Sequence, residues 1–362
     1  MRKTISPFTS TPGIAGNALI DTHFSDEIIM NFDSPESSKY VYKIVGLRGS
    51  GKSVEYSIVM NHFREEKGWL VYSLSAGGNP VQTLISGLGK ERFINSKLIR
   101  QTIGGDASVE GGTAIISGAA GFKSEINIQE NDHYYSDEAE LKEMISKATK
   151  KGYRVLLGVD DIAKTDEMVR FLSILGDVIM EKGMDVRFIC TGLWKNIEDF
   201  VNVPHISFFV RAESITVKPL DYHSMAQKYR QLLGIKHEEA VRLSQFTKGY
   251  AYAYQILGDA CFRQSKSTID DEIETEFDED IGPQYDLIWQ TLTDAEQKLV
   301  RIILEDESGA VSGIKEKMEQ TSSFDSLRDR LKKKHIIVSP SRGTVEIPLP
   351  RFKEYVELWH SY

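Results

Sequence analysis

The stretch GLRGSGKS, Gly46–Ser53, has the residue types and spacing to hold a polyphosphate. It fits GxxxxGK[ST] in full. Glycines let backbone N–H groups curl around phosphate oxygens with no side chain in the way. Lys52 places a point charge on the β- and γ-phosphates, and Ser53 offers a hydroxyl to Mg²⁺. An apolar run, YVYKIVG, enters the loop and a helical pattern from Val54 leaves it. The positive end of that helix would face the anion. Gly46, Arg48, Gly49, Ser50, Gly51, Lys52, Ser53 and Val54 form the expected nucleotide-binding set. A chance match in a Gly-rich turn is the alternative, and the flanking strand and helix weigh against it.

Hydrolysis needs an acidic strand end as well. RVLLGVDD, Arg154–Asp161, supplies an apolar strand closing on two carboxylates. Asp160 is placed to hold Mg²⁺, and Asp161 to polarise an attacking water as general base. Many P-loop ATPases carry Glu there; Asp is one methylene shorter, so a slow or degenerate ATPase that holds its nucleotide structurally is an alternative. The pair could instead cap the next helix. Thr191 ends the run VRFICT, where it could sense the γ-phosphate or simply close a strand. Arg211, in FFVRAE, could reach a neighbouring subunit's γ-phosphate or form a surface ion pair. No guanine-reading NKxD stands out, which favours ATP.

The elements that must position these residues follow from hydrophobic patterning. Five short apolar runs read as buried strands: Lys39–Gly46, Trp69–Ser75, Tyr153–Asp160, Asp185–Thr191 and Ser214–Leu220. Helical patterns at Val54–Lys67, Glu138–Lys150 and Glu167–Lys182 alternate with them. This order predicts an α/β fold with a parallel five-stranded sheet. The Gly-rich interval Gly104–Glu130 reads as a surface excursion or as a mobile arm contacting a partner, and Ala114–Ser117 and Lys123–Asn127 could form a short hairpin in it. Three helices follow the strands, at Tyr222–Leu233, His237–Thr247 and Ala251–Gln264. The acidic stretch Asp270–Asp280 reads as a linker or a solvated helix. Helices at Asp294–Glu307, Gly313–Gln320 and Ser323–Lys334, then two apolar runs around Ser339–Gly343, give the order of a winged helix-turn-helix. The expected units are a lead-in at 1–38, an ATPase core at 39–220, a helical lid at 221–285 and a winged helix at 286–362.

Composition narrows the setting. The 362 residues carry a net charge of −9, which argues against a general nucleic-acid coat and confines any DNA contact to a local patch. Arg328, Arg330, Lys333 and Arg342 form such a patch in the last predicted helix and wing. The same module could make protein contacts instead. No apolar run approaches the length of a membrane helix, and the N-terminus lacks the apolar stretch of a secretory signal. The two cysteines, Cys190 and Cys261, have neither disulfide-framework nor zinc spacing, and a reducing cytoplasm fits them.

These motifs resemble the AAA+ ATPases, in the branch near the origin-recognition and archaeal-type STAND ATPases. GLRGSGKS and VLLGVDD match the two Walker motifs, with Asp161 in place of the commoner Glu. SPFTSTPGIAGN resembles the lead-in that flanks the base, with Gly16 and Asn17 where a Gly-Arg pair is usual. ITVKPLDYHSMAQKYRQLLG resembles the entry to the lid. TKGYAYAYQILG resembles the lid segment that usually reads GG-Tyr-Pro, with Ala251 replacing the proline. Classical lids place a second sensor arginine there; this chain has none, and Lys248 is a weak substitute. The resemblance implies ATP and Mg²⁺ at the core, a winged helix that meets duplex DNA or a protein, and possible assembly into a homo-oligomer.

Overall fold

The computed structural model describes residues 5–14, 16–94, 130–318 and 321–360. The hairpin expected within 104–130 lies outside the described residues. At the centre is a five-stranded, all-parallel sheet of β1 (Val41–Val45), β2 (Trp69–Leu74), β3 (Arg154–Val159), β4 (Val186–Gly192) and β5 (Glu213–Thr216), in the order β2-β3-β4-β1-β5. Strands β1, β3 and β4 are buried almost throughout, as continuous Val, Ile and Leu runs require when helices cover both faces. β5 departs from expectation. It is shorter than the predicted Ser214–Leu220 and mostly exposed, because it is an edge strand paired only with β1.

Helices α1 (Phe24–Asp33), α2 (Lys52–Glu65), α3 (Pro80–Leu88), α4 (Glu130–Lys150), α5 (Asp166–Met180), α6 (Trp194–Glu198) and α7 (Ser207–Arg211) accompany the sheet. Parallel strands joined by such crossovers bring the carboxyl ends of β1, β3 and β4 to one edge. The register there sets Val45 beside Gly192 and Val159 beside Cys190. The phosphate-binding candidate and the acidic pair are thereby neighbours, although more than a hundred residues separate them.

Three helices, α8 (Tyr222–Leu233), α9 (His237–Phe246) and α10 (Ala251–Gln264), follow the sheet at the expected places. The acidic stretch is helical, not a linker, and it is solvated on one face only. It opens α11 (Asp271–Trp289), whose Ile273, Phe277, Ile281, Tyr285 and Ile288 form a buried stripe at helical spacing. The charges occupy the opposite face, and their density hid the stripe in the sequence. One apolar cluster runs from Phe8 through α8–α11 to Val356.

Beyond it lie α12 (Asp294–Glu305), α13 (Val311–Glu316), α14 (Phe324–Lys333) and α15 (Phe352–His360). The expected two-stranded wing is reduced to isolated antiparallel bridges, Val338 with Glu346 and Ala310 with Thr344. Among the described residues no helix is long and apolar enough to cross a membrane.

Candidate functional site

The turn Gly46–Gly51 leaves β1 and winds into α2. Gly49 (φ 75°) and Gly51 (φ 100°) adopt left-handed backbone, which a side chain would strain. A Cβ at Gly49 would also press into the Tyr250 ring, 2.9 Å from Cζ. The turn bounds a cavity of about 460 Å³, lined by Arg48–Glu55, Asp160, Asp161 and Thr191 on the sheet side. Thr9–Ile14, Ala18–Ile20, Val217 and Leu220 add a largely apolar wall, and Ala251, Tyr252, Tyr254, Gln255 and Gln284 close the helical side.

Lys52 is 8% exposed, and its ammonium donates to Leu47 O (2.9 Å). Burial lowers its pKa to about 8, opposed by Asp161 and Asp160 and reinforced by Arg48. Two further donors of the loop, Arg48 Nε and Ser50 Oγ, are buried without an acceptor. Burying unpaired donors is costly. A loop with several of them matches a ligand rich in anionic oxygens.

The acidic end is organised by one threonine. Thr191 Oγ1 donates to Asp160 Oδ1 (2.6 Å) and accepts from the backbone N–H of Asp161 (2.8 Å). Ser53 Oγ donates to the same Asp160 oxygen (3.0 Å). Asp161 is exposed on the cavity wall, and its backbone is left-handed (φ 54°). Among the described residues no three His, Cys, Asp or Glu side chains gather as a metal site. Ser53 and Asp160 by themselves fit Mg²⁺, an ion that keeps several waters and shares its oxygens with phosphates.

The other candidates fare differently. Gly46 lies behind the loop, on a second pocket of about 30 Å³ with Trp194 and Lys334. Gly16 and Asn17 are not on the cavity wall; their neighbours Ala18 and Leu19 are. The reason is local: Gly16 (φ 54°) turns the chain beside Pro7 O, and Asn17 O accepts from Lys228. Arg211 is exposed at the end of α7, with its guanidinium turned back on Ser207. Lys248 extends away from the loop, toward Ile347 O and Leu349 O (3.4 Å each). In the C-terminal patch, Arg328 pairs with Asp325 and Asp329, and Arg330 lies 3.6 Å from Glu296. Lys333 sits over the Trp194 ring, while Arg342 is exposed at its turn. His335, whose imidazole is held below its usual range by burial and by the charge of Lys52, places α14's end near the phosphate loop.

Sequence reasoning missed Glu55, Tyr250 and Gln284. Buried Glu55 accepts from Thr22 (2.6 Å) and Ser25 (3.0 Å), fastening the N-terminal wall to α2. Tyr250 donates to Arg48 O (2.7 Å), fastening α10 to the loop. An acidic residue three positions past Lys52 was a readable signal for the first. Nothing local marks the other two.

Known proteins bear on the fold. A family model described as a domain of unknown function (DUF8462) matches residues 284–356. No curated protein sequence matches the chain. Among solved structures, the Aeropyrum pernix ORC2 protein in its ADPNP-ADP complexes aligns over 99% of this chain and 96% of its own, at 12% identity and TM-score 0.52. Cdc6p from Pyrobaculum aerophilum covers 94% of each chain at 10% identity, with a TM-score of 0.43. A Pyrococcus horikoshii STAND protein with a tetratricopeptide-repeat sensor reaches 16% identity over 98% of this chain and 44% of its own, with a TM-score of 0.39. The ORC2 likeness carries the fold: a P-loop-like parallel core with helices after it.

Proposed function

We propose that the chain binds ATP with Mg²⁺ in the 460 Å³ cavity and hydrolyses it, and that the bound nucleotide controls the position of the C-terminal region. The observation that carries this is the meeting of the donor-rich loop around Lys52 with Asp160, Asp161 and Thr191 at one sheet edge. Lys52, Arg48 and Ser50 hold the phosphate end. Ser53 and Asp160 are the residues that would hold Mg²⁺, which neutralises phosphate charge when bound. Asp161, on the cavity wall, accepts the proton of the attacking water. Thr191 orients the Asp160 carboxylate and holds the backbone of Asp161, and Ile14, Leu19, Val217 and Tyr254 wall the base. The ORC2 structure sharing this fold was solved with ADPNP and ADP, so adenine nucleotides are the ligands to try first.

The C-terminal patch favours protein contacts over DNA, because Arg328 and Arg330 face carboxylates and Lys333 faces Trp194. In this reading nucleotide exchange releases the region so that it meets a partner or a second copy. Duplex DNA is the second reading, favoured by exposed Arg342. Arg211 would act only in trans, since its side chain stays on its own helix.

The test is calorimetric titration with Mg-ATP and AMP, together with phosphate release. Binding of ATP well above AMP, with turnover, is expected. Equal affinity for the two would remove the phosphate-site assignment.

A further inference from the structure

Glu55 is a carboxylate that the proposed chemistry does not use. It is 5% exposed and lines the cavity from α2. It stands three residues past Lys52, about 4.5 Å along the helix, so one ligand can meet both. The hydroxyls of Thr22 (2.6 Å) and Ser25 (3.0 Å) each donate to one of its oxygens. An ionised carboxylate has about four acceptor positions and no proton to give. Among the described residues no cation stands within ion-pair distance of Glu55. Burial pushes its pKa up, the two hydroxyls oppose that, and the negative charges of Asp21 and Asp26 add to it. Glu296 shows how this fold settles a carboxylate that is only structural. It is as deeply buried, and Lys334 (2.7 Å) and the Thr293 N–H (2.8 Å) both donate to it. Glu55 has two neutral donors, no cation and a cavity beside it, which is an arrangement short of a donor.

The wall next to Glu55 suits a flat ring. Ile14 and Leu19 line the cavity and are 56% and 36% exposed although both are apolar. Ile20 and Leu19 stand two and three residues before Thr22, which ties this wall to Glu55. The Thr22 hydroxyl is itself committed, since it donates to Glu55 and accepts from the Phe24 N–H (3.3 Å). Asp160 and Asp161 belong to the sheet edge, so Glu55 is the carboxylate of the apolar wall. Resting on the ATP reading above, we infer that Glu55 selects the base: its carboxylate accepts a hydrogen bond from the amino group of a 6-aminopurine and turns away a 6-oxopurine. The amino group supplies the missing donor. A carbonyl oxygen in its place sets lone pairs against a buried negative charge, which is a repulsive element of the kind that creates specificity. Thr22 and Ser25 then act as positioning residues, because their hydroxyls fix which way the carboxylate faces.

The test is calorimetric titration of the full chain with the Mg²⁺ complexes of ATP, purine riboside triphosphate, ITP and 2′-deoxy-ATP. Purine riboside triphosphate lacks the 6-amino group, and ITP carries an oxo group there. Wild type, Glu55→Gln and Lys52→Ala are compared. Wild type is expected to bind purine riboside triphosphate about tenfold and ITP about a hundredfold more weakly than ATP, with 2′-deoxy-ATP within about twofold. Glu55→Gln offers an amide N–H in place of a carboxylate oxygen, so ITP is expected to gain on ATP by about tenfold. If Glu55 only fastened the wall, Glu55→Gln would weaken every nucleotide by the same factor, and that result overturns the inference. Wild type binding purine riboside triphosphate or ITP as tightly as ATP also overturns it; the ATP site still stands if Lys52→Ala loses ATP. Normal ATP binding by Lys52→Ala takes down the site reading and the inference together. A loss with 2′-deoxy-ATP that disappears in Glu55→Gln assigns the carboxylate to the ribose and overturns the base reading. The wild-type comparison needs no variant, so it decides even where the melting temperature shows that Glu55→Gln does not fold.

Discussion

The phosphate loop and the end of α14 contain the same kinds of residue, basic side chains beside carboxylates, and use them oppositely. Around the loop, Arg48 Nε and Ser50 Oγ have no protein acceptor, and Lys52 reaches only a carbonyl of its own turn. Around α14, Lys334 donates to Glu296 (2.7 Å) and Thr291 O (2.9 Å), and Arg328 is flanked by two aspartates. Basic side chains near one another in sequence can thus lack acceptors or be paired by carboxylates. What separates them is whether the fold supplies the acceptors.

Four changes would break or sharpen that contrast. The largest effect is expected at Lys52. Lys52→Ala should weaken Mg-ATP binding by about a thousandfold, the scale of removing one partner from a desolvated charge pair. Calorimetry that finds unchanged affinity would end the distinction between the two regions. Asp161→Asn should lower turnover by about 100-fold while ATP still binds. Single-turnover phosphate release at wild-type rate would take Asp161 out of the chemistry.

On the C-terminal side the currency is stability. Glu296 is fully buried, and Lys334→Ala would leave it short of its closest cation. Roughly 2 kcal/mol should be lost in denaturant unfolding. A loss near zero would mean that the clasp is not holding. The smallest effect is expected on nucleic acid: Arg330→Ala with Lys333→Ala should change duplex-DNA anisotropy by less than about twofold, because both already face protein groups. A steep, salt-dependent loss would reverse the preference for protein contacts.

The loop also makes a pH prediction. Burial lowers the Lys52 pKa to about 8, with Asp161, Asp160 and Arg48 as the charges acting on it. An anion favours the ammonium, so binding raises this pKa. Above about pH 8 the free protein must therefore take up a proton to bind ATP, and affinity should fall by up to about tenfold per pH unit. Titration in buffers of different ionisation enthalpy measures that uptake. Proton release would contradict it.

Much of the sheet was legible because its strands are buried on both faces and read as unbroken apolar runs. β5 was overread for the physical converse: an edge strand needs only one apolar face, so its boundaries are weakly encoded. The wing was overread too, since two apolar runs around a turn specify proximity but not a ladder. Short helices such as α3 and α15 escaped notice because a few turns leave little periodicity to detect.

The sequence by itself determined the glycine-rich turn after β1, the acidic strand end and the alternation that makes the sheet parallel. These are local patterns, set by glycine conformations, residue chemistry and period. Only the tertiary structure decided that Thr191 bridges Asp160 and Asp161, and that α11 is a core element bringing Gln284 to the cavity. It also decided that Arg328, Arg330 and Lys334 lie beside carboxylates. Each of those depends on which partner packing delivers from far along the chain, and no short stretch of sequence encodes that.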